Sequence, residues 1–383
     1  MLHARLSGGE SPVSTGAPAV SVVIPCHGQA HFLARALESV VRQRGIALEA
    51  IVVDDGSPDD VRAVCSRYGA VRYVRQEHAG LAAARNLGIK KARGCLLHFL
   101  DADDAVEDGL YAEMAAALRA RPEWTAVVCG TRFMRDDGSP SDQCLDPPLP
   151  GALFPVLARS NPFPPGALVL RRSVLSGTGL FDTRLEGTAD WDLWLRVART
   201  GATFGAVTGP RFLYRLHRAG MSRRAVRMFE EYKVVLERAR GHDPRVQTPS
   251  PEFAAGLGPG DTAESIADAA AACLGKAIGG GDVEAAARLA GELLSSVRGR
   301  PGRRHLEMLF SEAALTCGCL PPRHLQTFAL CSPLLLRLGL RVRRERAVLA
   351  LVRDVALHLC GAHRARERVR AATRRRALSS PRA

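Results

Sequence analysis

Over the first hundred residues, short apolar runs alternate with longer segments in which apolar side chains recur every three or four positions. A short run without polar alternation reads as a strand covered on both faces, and the three-to-four spacing as a helix with one buried stripe. On that basis strands are expected at Val20 to Ile24, Ala50 to Val53, Val71 to Val74 and Cys95 to Leu100, the last interrupted only by His98. Between them Leu33, Ala36, Leu37, Val40 and Val41 make one helical stripe and Val61, Val64, Cys65 and Tyr68 a second, while Gly80 to Lys91 forms a third helix. Ser57 is expected to cap the second helix, with Pro58 at its first position and Asp60 in its first turn. Strand alternating with helix implies a parallel sheet with right-handed crossovers, so the ends of successive strands share one edge.

That edge is where open α/β sheets take their ligands, and here it gathers Pro25, Asp54, Asp55, Asp101 and Asp103. Asp101 and Asp103 are two apart, close enough to reach one divalent cation. Such a hard ion takes its remaining ligands from water and from a substrate diphosphate. An isolated Asp-x-Asp is ordinarily a solvated turn; carboxylates from different strands converging on one crevice are not.

Beyond the acidic turn the pattern predicts a helix through Leu110, Met114, Ala117 and Leu118, and a strand at Ala126 to Cys129. An irregular stretch, Asp136 to Pro165, precedes another strand, Gly166 to Leu170. A loop of that length inside a compact domain is usually functional or mobile. Ala189 to Arg196 reads as a helix whose apolar face is Leu193, Trp194, Val197 and Ala198, with Asp190 at its start, where a carboxylate also complements the helix dipole. Arg211 to Leu216 is a strand leading into His217. From Arg240 to Asp261 the composition turns to Pro, Gly and Arg, the signature of a linker. Ile266, Ala269, Ala270, Cys273 and Ala277, then Val283, Ala286, Ala287, Ala290, Leu293 and Leu294, mark two helices across a glycine turn. A later helix runs through Val348, Leu351, Val352, Val355 and Leu359.

With these stretches in hand, residues 20 to about 222 resemble a family 2 glycosyltransferase domain of the GT-A fold, which implies an α/β architecture with a Rossmann-like mixed sheet flanked by helices, followed here by a C-terminal α-helical region. The resemblance is carried by Ser21-Val-Val-Ile-Pro-Cys, Ile51-Val-Val-Asp-Asp-Gly-Ser, Gly80-Leu-Ala-Ala-Ala-Arg-Asn-Leu-Gly, Phe99-Leu-Asp-Ala-Asp-Asp, Asp190-Trp-Asp-Leu-Trp-Leu-Arg and Tyr214-Arg-Leu-His. Each is weak alone; six in the family's order are specific. The resemblance implies that Asp54, with Asp55 beside it, binds the nucleotide, that Pro25 and His27 line the same pocket, and that Arg85 helps at the base or phosphates. It further implies that Asp101 holds the ribose, that Asp103 and His217 serve a Mn²⁺ or Mg²⁺ ion on the diphosphate, and that Asp190 is the general base of an inverting transfer. Two positions depart from the family pattern: His27-Gly28 replaces the usual aromatic and Asn, and Ala189 replaces the usual acidic residue before the base. The base is therefore Asp190 or Asp192; periodicity favours Asp190, since Asp192 lies about two hundred degrees around the helix. Processive synthases of the family carry Gln-x-x-Arg-Trp and membrane spans. Trp124, Trp191 and Trp194 are not preceded by Arg, so transfer of single sugars, from a UDP-sugar, to a glycan or lipid-linked acceptor is expected. The alternative is a catalytically inactive module that keeps the nucleotide-sugar pocket.

Composition changes this picture in two places. Of the 383 residues, 53 are basic and 39 acidic, a net charge of +14, and Arg337 to Arg376 holds 13 arginines against three acidic residues. That excess suggests an anionic surface, either a membrane leaflet carrying lipid-linked acceptors or a solvated helical cap; nucleic-acid binding, without interleaved aromatics, is not expected. The ten cysteines lack metal-ligand spacing, Cys317-Gly-Cys319 included. They read as buried free thiols in a cytoplasmic protein, with at most peripheral membrane contact. The expected organisation is a flexible leader at 1–19, a glycosyltransferase domain at 20–239, a linker at 240–261 and a helical region with a basic tail at 262–383.

Overall fold

The structure is a computed structural model that describes residues 17–216, 224–258, 262–297 and 301–316. His217, Cys317, Cys319, the leader up to residue 16 and the arginine-rich segment 337–376 lie outside the described residues.

Four parallel strands open the fold. They are β1 (Val20–Cys26), β2 (Leu48–Asp55), β3 (Val71–Gln76) and β4 (Leu96–Phe99), separated by the helices α1 (Ala30–Val41), α2 (Val61–Cys65) and α3 (Leu81–Lys91). Register places Cys26 opposite Asp54 and Asp54 opposite Arg75, so the strand ends do share an edge. The first helix buries Leu33, Ala36, Leu37 and Val40, most of its expected stripe. The second differs at its start. Asp60, not Ser57, caps it by accepting from the Ala63 amide, because Ser57 is occupied elsewhere: its hydroxyl donates to the Cys26 carbonyl and receives the Gly28 amide. Cys95, expected to be buried, is exposed, since it precedes the strand rather than lying in it.

After the two-residue β5 (Ala105–Val106) and α4 (Leu110–Ala120), the chain forms β6 (Trp124–Met134), β7 (Pro140–Leu145), β8 (Gly151–Ala152) and the short α5 (Phe154–Leu157). Then follow β9 (Leu168–Arg171), α6 (Leu175–Thr178), α7 (Ala189–Arg199) and β10 (Thr203–Arg215). Among the described residues all ten strands belong to one sheet, whose main path is β3-β2-β1-β4-β9-β6-β10-β5. Beyond the first four parallel strands β9 runs antiparallel to both β4 and β6, as the mixed sheet of the GT-A resemblance implies. The sheet is therefore mixed. The stretch from Asp136 to Pro165 is only partly irregular, since it carries β7, β8 and α5.

Close packing of α3 on β1 depends on Gly88, where a Cβ would fall 2.1 Å from the Val23 Cγ1 atom. Overpacking of this kind costs about 1–3 kcal/mol, so Gly88→Ala is expected to lower urea-denaturation stability by that amount.

The helix α7 is more deeply set than an amphipathic pattern implies: all eleven of its residues are buried. Its polar face is covered by α8 (Ala225–Arg240) and by the segment 241–258, the expected linker. That segment has no helix or strand, yet it is fastened down. The Ser250 amide donates to the Arg199 carbonyl, the Gln247 amide to that of Gly177, and Phe253 stacks on Phe154 with ring centroids 4.8 Å apart. A second core forms around α9 (Thr262–Gly279), α10 (Val283–Ser296) and α11 (Arg303–Thr316). Asp282 caps α10 through the Ala285 amide, just past Gly281 at φ 76°. The two cores meet on α8, which gives Val235, Leu236 and Ala239 to the first and Ala225 and Phe229 to the second. No helix among the described residues is long and apolar enough to cross a membrane.

Candidate active site

At the end of β2, Asp54 is fully buried. One carboxylate oxygen accepts from the Tyr73 hydroxyl and from Arg75, both at 2.6 Å, and the other from the Ser57 amide at 2.8 Å. Burial alone would raise its pKa, but these donors outweigh it and hold the carboxyl below its ordinary range. Asp55 accepts from the Ala79 and Gly80 amides, each at 2.9 Å, and from Gln76. The Asp55 carbonyl lies within hydrogen-bond distance of the Nδ1 atoms of His27 and His78, whose rings stack at 4.1 Å with 25° between their planes. His27, Asp55 and His78 are a group of potential metal ligands, with ligand atoms within 4.8 Å of one another. Both Nδ1 atoms converge on Asp55, and that of His78 also lies 2.9 Å from its carboxylate.

At the end of β4, Asp101 accepts from Arg85 at 2.6 Å, and Arg85 is itself buried, with its guanidinium 5.5 Å from the Phe181 ring centroid. The Asp103 carboxylate accepts from Gln29 at 3.1 Å. Asp104 turns inward and accepts from the Arg215 amide, while the Arg215 side chain donates to the carbonyls of Asp103 and Asp136. The acidic turn is thus pinned to β10. Burial, then the neighbouring carboxylates Asp103 and Asp101, push the Asp104 carboxyl well above its ordinary range. His98, which interrupts the apolar run of β4, is a satisfied core residue: it contacts the Gly166 carbonyl and the Tyr111 hydroxyl, and burial lowers its pKa to about 4.

The two aspartates at the start of α7 have opposite surroundings. Asp192 is fully buried, and both of its oxygens are taken by arginines: Arg196 at 3.0 Å, Arg238 at 2.7 Å and Arg245 at 2.9 Å. Asp190 is 7% exposed and has no ion pair among the described residues; its carboxylate accepts from the Asn161 amide at 3.1 Å. Burial raises the Asp190 pKa, the nearby Arg85 opposes this, and Asp101 adds to it. Asp190 therefore shares the electrostatic environment of the Arg85–Asp101 pair, whereas Asp192 belongs to a structural network with Asp182 and Asp243.

The sequence profile of glycosyl transferase family 2 matches residues 21–174. An uncharacterized glycosyltransferase of Rickettsia prowazekii (strain Madrid E), RP339, is 30% identical over 226 residues, which are 56% of this chain and 70% of the relative. The chain belongs to glycosyltransferase family 2. A shorter match joins this glycosyltransferase to the minor teichoic acid biosynthesis protein GgaB of Bacillus subtilis (strain 168), 34% identical over 98 residues, 24% of this chain and 11% of that one. Among solved structures, the mannosyltransferase PcManGT from Pyrobaculum calidifontis, in complex with GDP-Man and Mn²⁺, is 20% identical, with a TM-score of 0.48 over 86% of this chain and 88% of that one.

Periodicity and motif reading of the glycosyltransferase missed several side chains at this edge. Tyr73 and Arg75 reach Asp54 from the neighbouring strand, a contact legible only once the β2–β3 register is known. His78 follows β3 and was not distinguished from the rest of its loop. Asn161 lies in the stretch expected to be functional by its length, but nothing in the pattern singled it out. Among the described residues its buried Oδ1 atom has no partner, and neither does the Arg85 Nε atom.

Proposed function

We propose that this enzyme transfers a single sugar from a nucleotide-sugar donor, a UDP-sugar by our reading, to an acceptor hydroxyl of a glycan, glycolipid or cell-envelope polymer, with inversion at the anomeric carbon. The observation that carries the proposal is Asp190: a buried carboxylate without an ion pair among the described residues, beside Arg85 and Asp101, while its helix neighbour Asp192 is saturated. A sugar hydroxyl is a poor nucleophile and needs a proton acceptor in the transition state; a carboxyl whose pKa is raised serves better than an ordinary one. Asp54 and Asp55 line the nucleotide pocket, with the stacked His27 and His78 offering the base a planar surface and Pro25 beside them. Asp101, steadied by Arg85, faces the ribose. The match to a teichoic acid biosynthesis protein supports the acceptor class.

A divalent cation fits the acidic turn. Asp103 offers hard carboxylate oxygen next to Asp101 and Asp104, whose raised pKa values reflect burial together with mutual repulsion that a cation would relieve. Asp103 would hold Mn²⁺ or Mg²⁺, with His217 as a further ligand. When bound, the ion supplies positive charge against the departing nucleoside diphosphate. The test is nucleoside diphosphate release from a panel of donors, with and without Mn²⁺, by the wild type and by Asp103→Asn. We expect Asp103→Asn to lose about 10²-fold or more in Mn²⁺-stimulated turnover, equivalent to roughly 3 kcal/mol. Unchanged stimulation would refute the metal assignment.

A further inference from the structure

The start of α7 is gripped from outside the region matched by the family profile. Glu231, on α8, is a buried carboxylate. It accepts from the Glu186 amide at 3.0 Å, the Gly187 amide at 2.8 Å and the Thr188 hydroxyl at 3.3 Å, and it pairs with Arg227 at 3.1 Å. Thr188 is the N-cap of α7, yet its side chain caps nothing in its own helix. Its hydroxyl is spent on Glu231 instead, which is unusual because N-cap hydroxyls ordinarily serve the free amides of the first turn. Gly187 lets α8 come close: a Cβ there would sit 3.1 Å from the Met228 Cε atom. The grip continues along the same helix. Tyr232 meets the Trp191 ring edge-on at 5.2 Å, and Arg238 binds Asp192. From the opposite side, the Trp191 indole donates to the Leu157 carbonyl at 2.6 Å and Asn161 donates to Asp190. The Asp190 carboxylate is therefore set between two clamps, and the one on α8 is ionic.

We propose that Glu231 is a positioning residue for the transfer reaction, holding the turn 186–188 so that the Asp190 carboxylate meets the acceptor hydroxyl. The proposal rests on the reading of Asp190 as proton acceptor. It also gives the helical region a part in turnover. Glu231 stands just past Ala225 and Phe229, the residues by which α8 packs into the core of α9, α10 and α11, so those helices brace the turn. A displacement of about 1 Å at a reacting group costs on the order of 10²-fold in rate. Losing the carboxylate frees two amides and a hydroxyl at the turn, and such a shift follows from their re-pairing.

The experiment measures kcat and donor KM, nucleotide affinity by calorimetry and thermal melting for the full chain carrying Glu231→Ala, Glu231→Gln, Asp190→Asn or Asp190→Asn with Glu231→Ala. We expect Glu231→Ala to lower kcat by about 10- to 100-fold, with donor KM and nucleotide affinity within about twofold of wild type. Glu231→Gln, which keeps an oxygen for the amides, should recover most of the loss. In the Asp190→Asn background Glu231→Ala should add less than about twofold, because the group it positions is already gone. An equal loss of kcat in both backgrounds, a matching loss of nucleotide affinity, or an unchanged kcat in Glu231→Ala overturns the proposal. Wild-type turnover by Asp190→Asn overturns the reading beneath it instead. Should Glu231→Ala not fold, Thr188→Val removes the hydroxyl contact alone and is expected to lower kcat about threefold, again only when Asp190 is intact; no change overturns the proposal.

Discussion

Replacing Asp190 by asparagine is expected to lower turnover by about two to four powers of ten while leaving nucleoside diphosphate affinity within about threefold. The asparagine is nearly the same size and still meets Asn161, so geometry is retained and only proton acceptance is lost. Nucleotide affinity should survive because the residues assigned to it lie on other elements: Asp54 and Asp55 on β2, His27 after β1 and Asp101 after β4. The pH dependence follows from burial, which raises the Asp190 pKa above the ordinary carboxylate range. A base works deprotonated, so wild-type kcat/KM is expected to fall as pH drops through that raised value, and the acid limb should lie above about pH 4. In Asp190→Asn the residual rate should lose this limb. A steady-state pH series on both proteins checks the sign.

Replacing Asp192 by alanine should act on stability rather than on chemistry. Asp192 is fully buried and neutralises Arg196, Arg238 and Arg245; removing it leaves the interior guanidinium of Arg196 without its ionic partner. Breaking a buried pair from one side costs about 3–5 kcal/mol, so Asp192→Ala is expected to lose that much in denaturant unfolding. The same network predicts acid sensitivity. Arg184 and then Arg238 hold Asp182 below its ordinary pKa; burial opposes the lowering at Asp243, but the Arg245 hydrogen bonds outweigh it. A carboxyl lowered in the folded state contributes stability above its unfolded pKa and loses it as pH falls toward the folded value. Stability should therefore hold near neutrality and decline below about pH 4, which thermal melts across pH 3–7 would follow.

How far the sequence revealed this arrangement depends on the distance over which each contact forms. The four parallel strands and the shared edge of Pro25, Asp54, Asp101 and Asp103 follow from apolar periodicity, because buried strands and one-sided helices leave a local trace. The family followed from six ordered motifs. Antiparallel β9 left no such trace: its direction depends on the path of the chain after β6, not on its own residues. The sequence leaves the base between Asp190 and Asp192, and what separates their surroundings are Arg238 and Arg245, 46 and 53 residues downstream of Asp192. Glu231 was likewise invisible, since a glutamate on a basic helix reads as solvated until the turn at 186–188 is folded against it. Composition also does not reveal how 241–258 is held, since Phe253 stacks on Phe154 of α5 and Arg245 binds Asp192 of α7, both far away in sequence.

The most direct test of the account is a crystal structure of the enzyme with a nucleoside diphosphate-sugar and Mn²⁺. The base is expected beside His27 and Asp54, the diphosphate and ion on Asp103, and the Asp190 carboxylate facing the anomeric carbon from the side opposite the leaving phosphate. A donor bound with its anomeric carbon turned away from Asp190, or an ion held without Asp103, would contradict it.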